Sequence, residues 1–208
     1  MKILGEIKPL FAKYGYKKNG DSFWKLENGF YKLINFQKGR YGDYFFINVG
    51  LHPNGLPMLY TKQLYLSEKP KESECVLRQR AEQISSKANS FEKEIGYSEE
   101  IEVLQKLLPE IMPDIESWLN KWGSYETILS SDFNTISKLF SAAPIVWEKK
   151  FWLLKCYCAL MAEDKAAAKG FFSTYQSQNP DMDFSLVDEY MENFIVSDNN
   201  RYTNCVHH

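Results

Sequence analysis

The run Gly29-Phe-Tyr-Lys-Leu-Ile-Asn-Phe-Gln37, a short loop, and the run Tyr44-Phe-Phe-Ile-Asn-Val-Gly-Leu-His52 decide the fold. Both are rich in Ile, Val, Phe and Tyr, which suit a pleated surface. Between them, Gly39-Arg-Tyr-Gly42 reads as a four-residue hairpin loop. With Lys38 opposite Asp43, Phe36 faces Phe45, Ile34 faces Ile47 and Phe30 faces Leu51. That gives one apolar face, broken by Lys32. The other face takes Tyr31, Leu33, Asn35 and Gln37 beside Tyr44, Phe46, Asn48 and Gly50. A one-residue slip sets Asn35 against Ile47, so the first register is preferred because it pairs like with like.

Upstream, Ile3, Ile7, Leu10, Phe11 and Tyr14 follow helical spacing. Pro9 predicts a kink or a late start in that helix, and Gly15 its stop. Lys17-Lys-Asn-Gly-Asp21 reads as a turn, residues 22–27 as a strand, and Asn28-Gly29 as a tight hairpin turn. Downstream, Pro53-Asn-Gly-Leu-Pro57 is a turn, residues 59–66 a strand, 68–74 a charged loop and 75–80 a fifth strand with Val76, Arg78 and Arg80 on one face. The expectation is an antiparallel meander with the N-terminal helix over one face.

Lys17-Lys-Asn-Gly-Asp-Ser-Phe23, Ile34-Asn-Phe-Gln-Lys38, Phe46-Ile-Asn-Val-Gly50 and Cys75-Val-Leu-Arg-Gln-Arg80 together resemble the bacterial family known as domain of unknown function 4304. The resemblance covers residues 3 to about 84. Its motifs are structural, so it implies no catalytic residue.

Beyond residue 85 the pattern turns helical. Ser98 fits an N-cap with Glu99 and Glu100 in the first turn. Ile101, Leu104, Leu108, Ile111, Ile115, Trp118 and Trp122 form a stripe that Pro109 and Pro113 should bend or split and Gly123 should end. Phe133 to Phe140 marks another helix. Trp147, Phe151, Leu154, Cys158 and Met161 mark a third. Residues 165–175, capped by Asp164, mark a fourth. Asn179-Pro180 breaks the chain before a last helix capped by Ser185. The third and fourth resemble one tetratricopeptide hairpin, but no second copy follows at the required period. The fold class is therefore α+β: an N-terminal helix packed on a five-stranded antiparallel sheet, followed by a C-terminal helical segment. The expected division is a sheet domain at 1–84 and a helical segment at 98–196, packed on it or forming a small second domain.

Composition narrows the function classes. The net charge of −2 argues against general nucleic-acid binding, which needs a basic face. No run approaches a membrane span, and the charged N-terminus is unlike a signal peptide. Four scattered cysteines read as reduced thiols, so the expected location is the cytoplasm. Cys156 and Cys158 lie two apart on a helix and point in different directions, which disfavours a shared zinc. Cys205, His207 and His208 are assigned no role. His52 reads as a turn-adjacent surface histidine. No nucleophile, phosphate loop or metal spacing stands out, so no catalytic residue, metal or cofactor is expected.

Two readings remain. One is a non-catalytic protein-binding protein, in one version immunity-like, acting through an exposed acidic or aromatic patch. The other is a small-ligand binder or enzyme using the polar-aromatic sheet face, with Asn35, Gln37, Tyr44, Phe46, Asn48, Arg78 and Arg80 as candidate binding residues. The second requires an open pocket on that face, and it fails if helices fill it.

Overall fold

The computed structural model describes residues 3–39, 45–60, 63–66, 68–89, 101–140, 144–178 and 183–196. The chain forms two compact units: Met1–Gly55 with Ser67–Ala142, and Leu56–Leu66 with Ala143–His208. This differs from the expected division near 84–98, because the long helix after residue 100 stays with the sheet.

The first unit is built on a five-stranded antiparallel sheet in the order β1-β2-β3-β4-β7. Its strands are β1 (Lys17–Asn19), β2 (Ser22–Glu27), β3 (Phe30–Lys38), β4 (Phe45–Pro53) and β7 (Leu77–Arg80). Five antiparallel strands were expected, but two of them differ. Lys17-Lys-Asn is an edge strand rather than a turn, and its exposed lysines blunt the sheet edge. The 59–66 segment instead forms β5 (Met58–Tyr60) and β6 (Gln63–Tyr65), a separate two-stranded hairpin in the second unit. The β2–β3 turn follows the Asn28-Gly29 signal: both residues have positive φ, at 52° and 79°. A Cβ at Gly29 would also run into the Tyr125 hydroxyl.

The central register is two residues away from the expected one. Phe36 pairs with Ile47, Ile34 with Val49 and Lys38 with Phe45. Six residues therefore separate the paired ends rather than four, and the expected loop lies largely outside the described residues. An even shift keeps every side chain on its face. Phe30, Lys32, Ile34, Phe36, Ile47 and Leu51 still share the apolar face, and all are buried.

Two helical layers cover that face. Pro9 divides the N-terminal helix into α1 (Ile3–Glu6) and α2 (Lys8–Lys13), with the proline in the first turn of α2 where its missing N–H costs nothing. The Gly15 N–H donates to the Ala12 carbonyl and the Tyr16 N–H to the Phe11 carbonyl, which closes α2. Phe11 stacks on Phe23 with ring centroids 3.9 Å apart. Past α3 (Ala81–Ile84), α4 (Ile101–Trp122) runs unbroken through Pro109 and Pro113. The two prolines are four apart and exposed, so the carbonyls they deprive face water and the helix is not split. The helix packs Leu104, Leu108, Ile111 and Ile115 fully inside.

Polar clasps join α4 to the sheet. Lys32 has 0% exposure, and its ammonium donates to Glu27 and, at 2.6 Å, to Asn120 Oδ1. Glu116 accepts from Tyr16 at 2.7 Å and from Lys25 at 2.8 Å. Two short helices follow: α5 (Tyr125–Ser130), capped by Ser124, and α6 (Phe133–Ser137), capped by Asp132. The sequence reading missed α5 and overextended α6. Phe140 instead bridges Leu77, and the Arg78 N–H donates to the Leu139 carbonyl, covering the β7 edge.

In the second unit, α7 (Trp147–Met161) and α8 (Lys165–Ser177) form a hairpin, and α9 (Ser185–Val196) packs on both α8 and β6. Asp164 caps α8 by accepting from the Ala167 N–H. Buried Lys149 donates to the Tyr175 and Gln178 carbonyls, satisfying the last turn of α8. Burial holds its ammonium below the ordinary lysine range, against an opposing pull from Asp188. Ser185 lies inside α9 rather than capping it, since the Val187 and Asp188 N–H groups turn back to the Phe184 carbonyl. Ser98 and Asn179-Pro180 fall outside the described residues.

Candidate functional site

Strand pairing lays the second sheet face out in rows. One row runs Lys17, Trp24, Leu33, Gly50, Arg78, and the next runs Asn19, Ser22, Asn35, Asn48, Arg80. Flanking rows pair Gln37 with Phe46, and Leu26 with Tyr31 and His52. The face thus mixes aromatic rings with amides and carries cations at row ends.

A strap leading into β7 crosses this face. It contains buried Pro70 and a 3-10 turn, Glu72–Glu74. Its docking point is Gly50. A Cβ there would lie 2.8 Å from Cys75 Sγ and 3.4 Å from Glu72 Cγ, so a strand glycine is what lets the strap come down. A bidentate ion pair fixes it: Arg78 Nε and Nη2 donate to the two Glu72 carboxylate oxygens at 2.6 and 2.8 Å.

Beside the strap lies a cavity of about 500 Å³. Trp24, Tyr31 and Leu33 supply its apolar part, Asn35, Gln37 and Ser22 its amides and hydroxyl, and Lys69, Lys71 and Arg78 its cations. The Trp24 and Tyr31 rings are 6.2 Å apart, and the Lys69 ammonium sits 5.4 Å from the indole centre. Burial, with Glu68 nearby, pushes the Tyr31 phenol above its usual range, so it keeps its proton at neutral pH. Asn35 Nδ2 donates to Ser22 Oγ at 2.9 Å and to the Asp21 carbonyl at 3.2 Å.

Of the seven candidate binding residues, Asn35, Gln37 and Arg78 line this cavity. Asn48 is buried and donates to Gln37 Oε1 at 2.9 Å, which orients that amide. Arg80 and Phe46 stack on each other at 4.1 Å along the same face. Tyr44 lies outside the described residues. The reading missed Trp24, Lys69, Lys71 and Glu72. Alternation along β2 puts Ser22, Trp24 and Leu26 on one face, so Trp24 was legible; the strap residues carry no periodic signal.

His52 is a correction: it is 2% exposed, not on the surface. Strand pairing continues past it, with Pro53 opposite Phe30 and the Asn54 N–H bound to the Gly29 carbonyl. Cys75, Cys156 and Cys158 are buried and outside any disulfide. Burial pushes the Cys156 thiol up to about 12, far from a reactive thiolate. Among the described residues no cluster of three His, Cys, Asp or Glu side chains could hold a metal ion, and no helix is long and apolar enough to cross a membrane.

The fold and this face define an α+β sheet domain, closed by helices on one side and bearing a ligand-sized cavity on the other. The chain belongs to the family described as domain of unknown function (DUF4304), whose model matches residues 7–121. The match runs to the end of α4 and so includes the helix that clasps the sheet. No curated protein and no solved structure matches the chain.

Proposed function

We propose that this is a cytoplasmic binding protein that takes a small ligand in the cavity on the polar-aromatic sheet face. The observation that carries the reading is the cavity itself. Asn35, Gln37 and Arg78 converge there with Trp24 and Tyr31, in a volume typical of ligand sites. Its floor is rigid sheet, and its polar groups are already oriented by Asn48, Ser22 and Glu72, which limits the ordering cost of binding. Three buried thiols outside disulfides support the cytoplasmic setting. A bacterial origin rests on the sequence resemblance.

The test is a thermal-shift screen of small metabolites on the chain and on Ser73→Trp. Ser73 is exposed and lines the cavity, so a tryptophan there plugs it without disturbing the core. A ligand at about a hundred times its Kd should stabilise the chain by about 2.7 kcal/mol. Hits lost in Ser73→Trp support the reading. Hits unaffected by the plug, or no hits, overturn it.

A protein partner, including an immunity-like role, is the second reading. It draws on Leu64 and Leu66 beside β5–β6 and Leu186 on α9, all exposed in a unit where α9 packs on β6. It expects one stoichiometric protein to copurify from the native cells and to be lost in Leu64→Glu with Leu186→Glu.

A further inference from the structure

We propose that the cavity's ligand is a small organic carboxylate carrying a flat ring; this rests on the cavity being a ligand site. The lining is rich in hydrogen-bond donors and carries an excess of positive charge. Glu72 engages one edge of the Arg78 guanidinium and neutralises it, leaving its other N–H groups. The Lys69 and Lys71 ammonium groups form no salt bridge among the described residues, while the Lys71 backbone N–H donates to the Glu74 carboxylate, and Asp21 is the remaining lining carboxylate. With Lys69, Lys71 and Arg78 against Asp21 and Glu72, the lining carries more cations than carboxylates, which favours an anion. Glu68, exposed nearby, acts on Tyr31 and offsets part of this excess.

The neutral groups point the same way. Gln37 uses its carbonyl oxygen to accept from Asn48, so its NH₂ remains to donate. Tyr31 holds its proton and has no hydrogen-bond partner among the described residues, so it too is a donor. Trp24, Tyr31 and Leu33 form the apolar part, which a bare acetate cannot cover in a space of about 500 Å³. A flat ring against these three leaves its carboxylate to Lys69, Lys71 and Arg78, which line the same cavity.

The experiment titrates the full-length ¹⁵N-labelled chain with 1-naphthoate, its neutral isostere 1-naphthamide, and acetate. The signals followed are the Trp24 indole N–H and the Asn35 and Gln37 side-chain amides. Naphthoate should shift all three and bind about tenfold tighter than naphthamide, as loss of a few part-exposed ionic contacts implies. Acetate should be weaker than naphthoate. Lys69→Gln with Lys71→Gln, both surface changes, should bring naphthoate down to the amide's affinity. Equal binding of acid and amide at these signals overturns the anion assignment and leaves the cavity reading standing. Acetate matching naphthoate overturns the ring. No shift with any of the three, or shifts elsewhere, overturns the ligand class, and the plugged-variant screen then decides separately whether the cavity is a site at all.

Discussion

The two faces of the first unit's sheet are made by alternate residues of the same strands, yet they differ in what finishes them. On one face helices form the cover: Phe11 stacks on Phe23, and α4 is tied down through Lys32 and Asn120 and through Glu116. On the other, the cover is one strap held by an arginine–glutamate pair, and a cavity remains beside it. The closed face spends its polar groups on internal partners. The open face leaves the Gln37 NH₂, the Tyr31 hydroxyl and the Lys69 and Lys71 ammonium groups without a hydrogen-bond partner among the described residues. Packing on the first is therefore expected to govern stability, and the groups on the second to govern binding.

The largest effect should separate neighbours on one strand. Phe23 is fully buried and Trp24 half-buried on the opposite face. Phe23→Ala should cost about 3–5 kcal/mol in urea unfolding, through lost transfer energy and a cavity. Trp24→Ala should cost less than half as much, yet abolish naphthoate binding. Similar losses of stability from both would break the distinction.

Next in size is Gly50→Ala. The added methyl meets Cys75 Sγ at 2.8 Å, and overpacking of this kind costs about 1–3 kcal/mol. Because the strap docks there, this variant should also lose ligand binding. Unchanged binding would show that the strap's position does not shape the cavity.

Lys32→Met tests whether the closed-face clasp is needed for stability. Replacing a buried ion by an apolar side chain of similar volume often leaves stability within about 1 kcal/mol or improves it. Its partner Glu27 is 44% exposed and so can turn to water. A loss of several kcal/mol in Lys32→Met would instead make the ion pair itself the source of cohesion.

The smallest effect is a pH dependence. The hydrogen bond from Lys32 holds the Glu27 carboxyl below its ordinary range. A depressed carboxyl stabilises the fold fully above its unfolded value, about 4.3, and loses that contribution as pH falls through the lower folded value. Exposure of Glu27 makes the contribution small. Acid unfolding followed by circular dichroism should therefore begin slightly earlier than the same curve for Glu27→Gln relative to each protein's stability at pH 7.

The alternation that separates the faces was legible in the sequence. Phe30, Ile34 and Phe36 against Asn35 and Gln37 assign the sides even with the hairpin register two residues off, because face depends only on parity. Register depends on loop length, which Gly39 to Asp43 did not declare. β1 was hidden because a short lysine-rich edge strand has the composition of a turn. The 58–65 hairpin was read as a sheet strand because each half is β-like, and nothing local says which partner it takes. Asn35, Gln37 and Arg78 could be proposed as site residues from their face alone. Lys69, Lys71 and Glu72 could not, since they reach the cavity through a strap whose docking rests on Gly50, far upstream in sequence, and on the Glu72–Arg78 ion pair, neither of which leaves a periodic signal.

The most direct test of the contrast between the faces is a two-dimensional amide spectrum of the labelled chain with each confirmed screening hit. The account predicts shifts at the Trp24 indole and the Asn35 and Gln37 side chains, with Phe23, Ile34 and Leu51 unmoved. Shifts centred on Phe23, Ile34 and Leu51, or spread evenly over both faces, would contradict it.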